Sequence, residues 1–151
     1  MREIKFRGRE KETNKWVFGY VRHWKNCFGD EWHIQGENDN VHVVIPATVG
    51  QYSGQTDKRK REIYDGDIVK NHDGNKGVVH WDETFSGFRA DMSDGLIFTL
   101  TGLTASMFTV VGNVHDNAEL LNDEPRTLDG KRVKGLDAEK FEEIYNEDEG
   151  E

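Results

Sequence analysis

The stretch GQYSGQTDKRKREIYDGDIVK, Gly50 to Lys70, decides the fold. It sets three contrasting pieces side by side. Gly50, Tyr52, Ser53 and Gly54 form a turn-prone segment. Four consecutive bases follow, Lys58, Arg59, Lys60 and Arg61. Then Tyr64-Asp65-Gly66-Asp67 leads into the apolar pair Ile68-Val69. An aspartate side chain bonds nearby backbone, and glycine supplies a positive φ without steric cost. Asp65-Gly66-Asp67 therefore predicts a tight turn that launches a strand, anchored by Tyr64 and Ile68. Gly50 to Gly54 becomes the crossover from an earlier sheet, and the basic tetrad becomes an exposed loop.

Short β-prone runs continue on the C-terminal side: Ile63-Tyr64, Ile68-Val69, Val78–Trp81, Phe85–Ala90, Leu96–Leu100 and Phe108–Val114. Turn signals separate them at Asp65-Gly66, Asp73-Gly74-Asn75, Asp82-Glu83, Asp94-Gly95 and Gly102. Spacings of roughly 8–12 residues between short strands predict a barrel or sandwich. The order suggests a small SH3-like barrel over about 51–115. HDNAELL, from His115, predicts a single docked helical turn.

On the N-terminal side, Ile4 and Phe6 alternate with charged residues, which predicts a half-buried strand. A polar turn over 9–15 follows, and WVFGYV places Trp16, Phe18 and Tyr20 on one face. Trp32 and Ile34 predict another strand, and VHVVI a further one that Pro46 ends. Residues 1–50 thus read as a first β-subdomain. Residues 122–135 read as a linker. LDAEKFEEIYN, within 136–151, predicts a helix N-capped by Asp137, with Phe141, Ile144 and Tyr145 on one stripe. The expected architecture is mainly β: an N-terminal sheet subdomain packed on an SH3-like barrel, with a C-terminal helix.

Composition narrows the function classes. The chain has 151 residues, 34% of them hydrophobic and 11% aromatic. Aromatic rings each bury on the order of 150–250 Å², so the expected core is built on Trp, Phe and Tyr. No segment approaches the roughly 18 apolar residues of a membrane helix, and the N-terminus carries no apolar export signal. Cys27 is the only cysteine, so a reduced, cytoplasmic setting is expected. Eight acids and one base lie between Asp137 and Glu151, giving −7 of the net −9. Met1 to Lys25 holds eight bases and three acids, or +5.

Candidate chemistry concentrates in the opening stretch. Asp57, Glu62, Asp65 and Asp67 offer carboxylates of the kind that hold Mg²⁺ or Ca²⁺. Their spacing does not match an EF-hand, and turn chemistry is the favoured reading, with Asp65 and Asp67 kept as weak metal candidates. The six histidines are scattered and no structural zinc cluster is possible with one cysteine. Ser53 and Ser86 lack a nucleophile-elbow context, and no phosphate-cradling or dinucleotide fingerprint is present. No catalytic residue and no cofactor is expected. The serious alternative is single-strand nucleic-acid binding, with Lys58, Arg59, Lys60 and Arg61 supplying charge and Tyr52 and Tyr64 supplying rings. Arg2, Lys5, Arg7, Arg9 and Lys11 extend that patch. Self-association is a further expectation, because edge strands invite pairing.

Three segments carry a family likeness: REIKFRGREKETNKWVFGY at 2–20, TVGQYSGQTDKRKREIYDGDIVK at 48–70, and VVGNVHDNAELL at 110–121. Together they resemble the YopX protein family over residues 1–121. The pattern residues are Gly50, Tyr52, Gly54, Tyr64, Gly66, Asp67, Gly112 and Asn113. Ala118 stands where the family usually has Pro, and His115 where Tyr is common. The resemblance implies a mostly β fold, a phage or prophage origin and a place in the host bacterial cytoplasm. Its partners would be a second copy, nucleic acid, or a phage or host protein. It carries over no catalytic residue.

Overall fold

The computed structural model describes residues 1–122. The expected helix over 136–151 and the linker beyond Asn122 lie outside those residues. Mainly β architecture is what the described residues adopt. Eleven strands alternate with one short α-helix and two 3-10 turns. The chain divides into two compact units, Met1–Gly54 and Gln55–Glu151.

The first unit contains β1 (Phe6–Arg9), β2 (Trp16–Asn26), β3 (Gly29–Gln35), β4 (Val41–Val43) and most of β5 (Gly50–Thr56). They are hydrogen-bonded in the order β4-β3-β2-β1-β5. The polar 9–15 segment does form the β1–β2 turn. Asn14 adopts a φ of +59° there, and its N–H donates to the Glu10 carbonyl at 2.9 Å. β4 stops before Pro46, which opens a 3-10 turn through Thr48. Ile34 and Val44 are fully buried at the centre of this unit.

One expectation fails in this unit and another holds with its face turned outward. Ile4 lies outside β1 and is exposed; the buried positions of the strand are Arg7 and Gly8. β1 begins only at Phe6, so the alternation at Ile4 precedes the strand. The Trp16, Phe18 and Tyr20 face is real, but Phe18 and Tyr20 point outward. Val17, Gly19 and Val21 take the half-buried positions that alternate with them.

The second unit contains β6 (Glu62–Tyr64), β7 (Asp67–Lys70), β8 (Lys76–Asp82), β9 (Gly87–Met92), β10 (Ile97–Thr99), α1 (Gly102–Ala105) and β11 (Thr109–Asn113). Its five-stranded antiparallel sheet has the order β10-β9-β8-β7-β11. The turn at Asp65-Gly66 forms as expected, with Gly66 at a φ of +89° that a larger residue would resist. Gly102 begins α1 instead of closing a turn. There Thr101 and Thr104 cap each other's backbone N–H groups. The docked turn after His115 is present as a 3-10 helix, Ala118–Asn122, and Leu121 is buried beneath it against Ile68 and Val78.

The cores are chiefly aliphatic, not aromatic. Ile63, Val69, Val79, Ala90, Met92 and Ala105 surround Phe88 and Phe108 in the main cluster. β-branched side chains suit a pleated, doubly covered sheet. Several rings lie outside the core instead, among them Phe18, Tyr20, Trp24, Phe28 and Phe85.

Candidate functional site

The basic tetrad forms a tight loop between β5 and β6, and all four side chains are exposed. Asp57 builds it. This carboxylate is 1% exposed. Its Oδ1 accepts from the backbone N–H of Arg59 and of Arg61, both at 2.8 Å. Its Oδ2 accepts from Val110 N–H at 2.9 Å. The Lys58 N–H donates to the Phe108 carbonyl at 2.9 Å, and Lys60 takes a left-handed φ of +67°. One buried acid thus ties the loop to β11 and turns its bases outward.

Asp67 does the same for the next turn. It is buried, and its Oδ2 accepts from Tyr64 N–H at 2.8 Å. The metal reading meets this geometry directly, because Asp57 and Asp67 aim their oxygens at backbone donors. Among the described residues no group of three or more His, Cys, Asp or Glu could hold a metal ion.

Tyr52 and Tyr64, expected as ring faces beside the tetrad, are both buried. Tyr64 belongs to β6 of the second unit, and Tyr52 lies in the first, with the Lys5 ammonium 5.4 Å from its ring centroid. The N-terminal bases are also engaged with rings. The guanidinium of Arg7 sits 4.8 Å, and that of Arg9 5.0 Å, from the Trp16 ring centroid, a cation–π arrangement.

Gly112 and Asn113 have clear local roles. A Cβ on Gly112 would meet Asn117 Oδ1 at 2.5 Å, so only glycine fits. Asn113 Oδ1 accepts from the N–H groups of His115 and Asp116, and its Nδ2 donates to Asp116 at 3.1 Å. Asn117 Oδ1 in turn accepts from Asn113 N–H at 3.2 Å. The Gly-Asn-x-x-Asp-Asn pattern is a self-capping turn that sets up the last 3-10 helix.

A second polar cluster escapes the sequence reading. On β8 and β9, His80 stands opposite Arg89, and Asp82 and Asp91 lie two residues along. His80 is 2% exposed. Its Nε2 lies 2.7 Å from Asp91 Oδ2 and its Nδ1 3.2 Å from the Trp81 carbonyl. Arg89 bridges Asp91, at 2.9 Å from Oδ1, and Asp82. Burial pushes the Asp82 carboxyl up, but the N–H groups of Thr84 and Phe85 and the Arg89 guanidinium together outweigh it and hold it below the usual range. The signal was present as His-x-Asp facing Arg-x-Asp across a short turn, alternating with Val79, Trp81, Phe88 and Ala90. The cluster braces the hairpin: His80, Asp82 and Asp91 are buried, and Arg89 is half-buried over them.

The described chain is therefore a mainly β protein whose buried acids and amides organise turns and whose exposed bases and rings face outward. A family model described as YopX protein matches residues 5–122, and the chain belongs to that family. None of the curated proteins compared with the chain matches it. No helix among the described residues is long and apolar enough to cross a membrane.

Proposed function

We propose that the chain is a non-enzymatic accessory module of a phage or prophage, acting by binding in the host cytoplasm. The observation that carries this reading is the use of Asp57. Of the acids that suggested chemistry, Asp57 holds the loop and Asp67 the turn after it, and what the loop displays is four bases. An SH3-like barrel fits the second unit. A meander β7-β8-β9-β10 is followed by a helical turn, and the last strand returns beside the first. Self-association is favoured by the edge position of β10, where Ile97 is exposed, and by exposed Leu103 and Met107 nearby in sequence. Light scattering at low micromolar concentration tests it: more than a monomer supports self-association, and a monomer throughout rejects it.

The tetrad favours single-stranded nucleic acid as a second reading of the partner. Exposed bases on a fixed loop neutralise phosphates and release counterions. Replacing Lys58, Arg59, Lys60 and Arg61 with alanine is expected to weaken binding to a single-stranded oligonucleotide. Its log–log salt slope should flatten by about 0.7 for each phosphate that is no longer neutralised. No binding by the native chain at low salt would reject this partner.

A further inference from the structure

Pairing register fixes which residues of the first unit share a face. Directly opposed residues of an antiparallel pair point to the same side, and alternate residues along a strand do too. Phe18 stands opposite Arg7, and Trp16 opposite Arg9. Tyr20, Arg22 and Trp24 continue that face along β2, opposite Gln35, His33 and Glu31 of β3. One face of the sheet therefore carries a row Trp16, Phe18, Tyr20, Arg22, Trp24, with Arg7 and Arg9 alongside. The opposite face carries Gly8, Val17, Val21 and Ile34, the last fully buried.

The row is exposed where it matters. Phe18 is 48%, Tyr20 68% and Trp24 51% exposed. Isolated exposed apolar residues are ordinary on protein surfaces, but three rings aligned on one strand are a patch. Residues two apart on a strand are spaced by about 6.7 Å, twice the roughly 3.4 Å rise per nucleotide of a stacked strand. Successive rings on β2 therefore match bases drawn apart from one another, each able to lie on a ring. Phe18 to Trp24 spans about 20 Å, room for three or four nucleotides.

Charge selects among possible occupants. On this face β2 carries Arg22 and no acid. Arg22 falls between Tyr20 and Trp24, where a linking phosphate would pass. On the β3 side of this face the acid is Glu31, and it lies beside His33, with Oε2 3.1 Å from Nε2. A second copy laid face to face on this row would bring a second set of arginines against the first. A polyanion would not.

We propose that the β2 face of the first unit binds single-stranded nucleic acid, with bases stacked on Phe18, Tyr20 and Trp24 and a phosphate on Arg22. This rests on the reading of the chain as a binding module and assigns the binding to a surface separate in sequence from the Lys58–Arg61 loop.

The full chain is titrated into a fluorescein-labelled twelve-nucleotide oligothymidylate, followed by anisotropy at low salt, with a duplex of equal length as comparator. Stacked bases each contribute strongly, so Tyr20→Ala and Trp24→Ala are each expected to weaken single-strand binding roughly tenfold. Trp24→Phe, which keeps a ring, should retain most of it, and the duplex should bind less well. Arg22→Ala should lower the salt slope by about 0.7, whereas the ring variants should leave it unchanged. The proposal is overturned if Tyr20→Ala and Trp24→Ala bind like the native chain while the Lys58–Arg61 alanine variant loses binding; the reading of a nucleic-acid module would then survive on the loop alone. It is overturned together with that reading if no oligonucleotide binds. It is also overturned if light scattering shows a dimer that Tyr20→Ala and Trp24→Ala dissolve, since the face would then be an interface between copies.

Discussion

The two units invert the usual placement of side chains in opposite directions. The first turns rings outward: Phe18, Tyr20, Trp24 and Phe28 are exposed. The second turns carboxylates inward: Asp57, Asp67, Asp82 and Asp91 are buried, with His80, where the first, among the described residues, buries Arg7 and His33 and no carboxylate. Neither costs the fold its integrity, for different reasons. An exposed ring forfeits burial but leaves no polar group unsatisfied. A buried carboxylate is tolerated when backbone N–H groups or a guanidinium take its lone pairs, and it is then costly to remove. The difference says where each unit does its work. The inward charges fix loops, and the outward rings face solvent.

That contrast can be broken by substitution, and the largest effect is expected at Asp57. Its carboxylate accepts three backbone N–H bonds. Asp57→Ala leaves those donors without it and is expected to cost about 3 kcal/mol in chemical denaturation. The amides of the 58–61 loop should exchange faster with deuterium. A variant as stable as the native chain would show that the acid is not what holds the loop.

Gly112→Ala comes next. The new Cβ would overlap the Asn117 side chain, whose Oδ1 lies at 2.5 Å. A loss of about 2 kcal/mol is expected. Adding Asn117→Ala should recover part of it in a double-mutant cycle, because the clash is removed although the Asn113 hydrogen bond goes with it. Independent, additive losses would contradict the close approach.

Asp82 tests the inward charge through pH. Its carboxyl is held below the usual range in the folded chain, so the unfolded chain binds a proton first as pH falls. The stabilisation is complete above the ordinary aspartate range near 4 and is lost as pH drops through the lower folded value. Asp82→Asn should therefore flatten the acid side of a melting-temperature profile below about pH 4 and leave its slope at neutral pH unchanged. An unchanged acid limb would place the pH dependence elsewhere.

The smallest stability effect belongs to the outward rings. Tyr20→Ala and Trp24→Ala should each shift stability by about 0.5 kcal/mol or less, while the oligonucleotide affinity changes strongly. A large stability loss would mean the rings support the sheet.

Much of the fold was legible because turn chemistry is local. Asp65-Gly66, Asp73-Gly74, Asp94-Gly95 and Pro46 each stop or start a strand near where the sequence reads it. Period-two alternation also found the face of β2. It could not say which face is inside, since Trp16, Phe18 and Tyr20 look more apolar than the Val17 and Val21 positions that turn inward. That choice belongs to the sheet's partners and not to the strand. The same limit explains Ile4, which alternates correctly but precedes the strand. In the candidate site, the exposed loop 58–61 was legible from its charge. The role of Asp57 was not, because its third donor, Val110 N–H, lies 53 residues away. Burial of Tyr52 and Tyr64 was likewise set by packing, and the His80–Asp91–Arg89–Asp82 cluster needs two strands in register before it exists.

Outward rings and inward charges are separated most directly by a two-dimensional amide and indole NMR titration of the full chain with oligothymidylate. The Trp24 indole N–H and the β2 amides from Phe18 to Trp24 should shift together, while the amides beside Asp82 and Asp91 stay in place. Shifts confined to the 58–61 loop, or no shifts at all, would contradict the assignment of the β2 face.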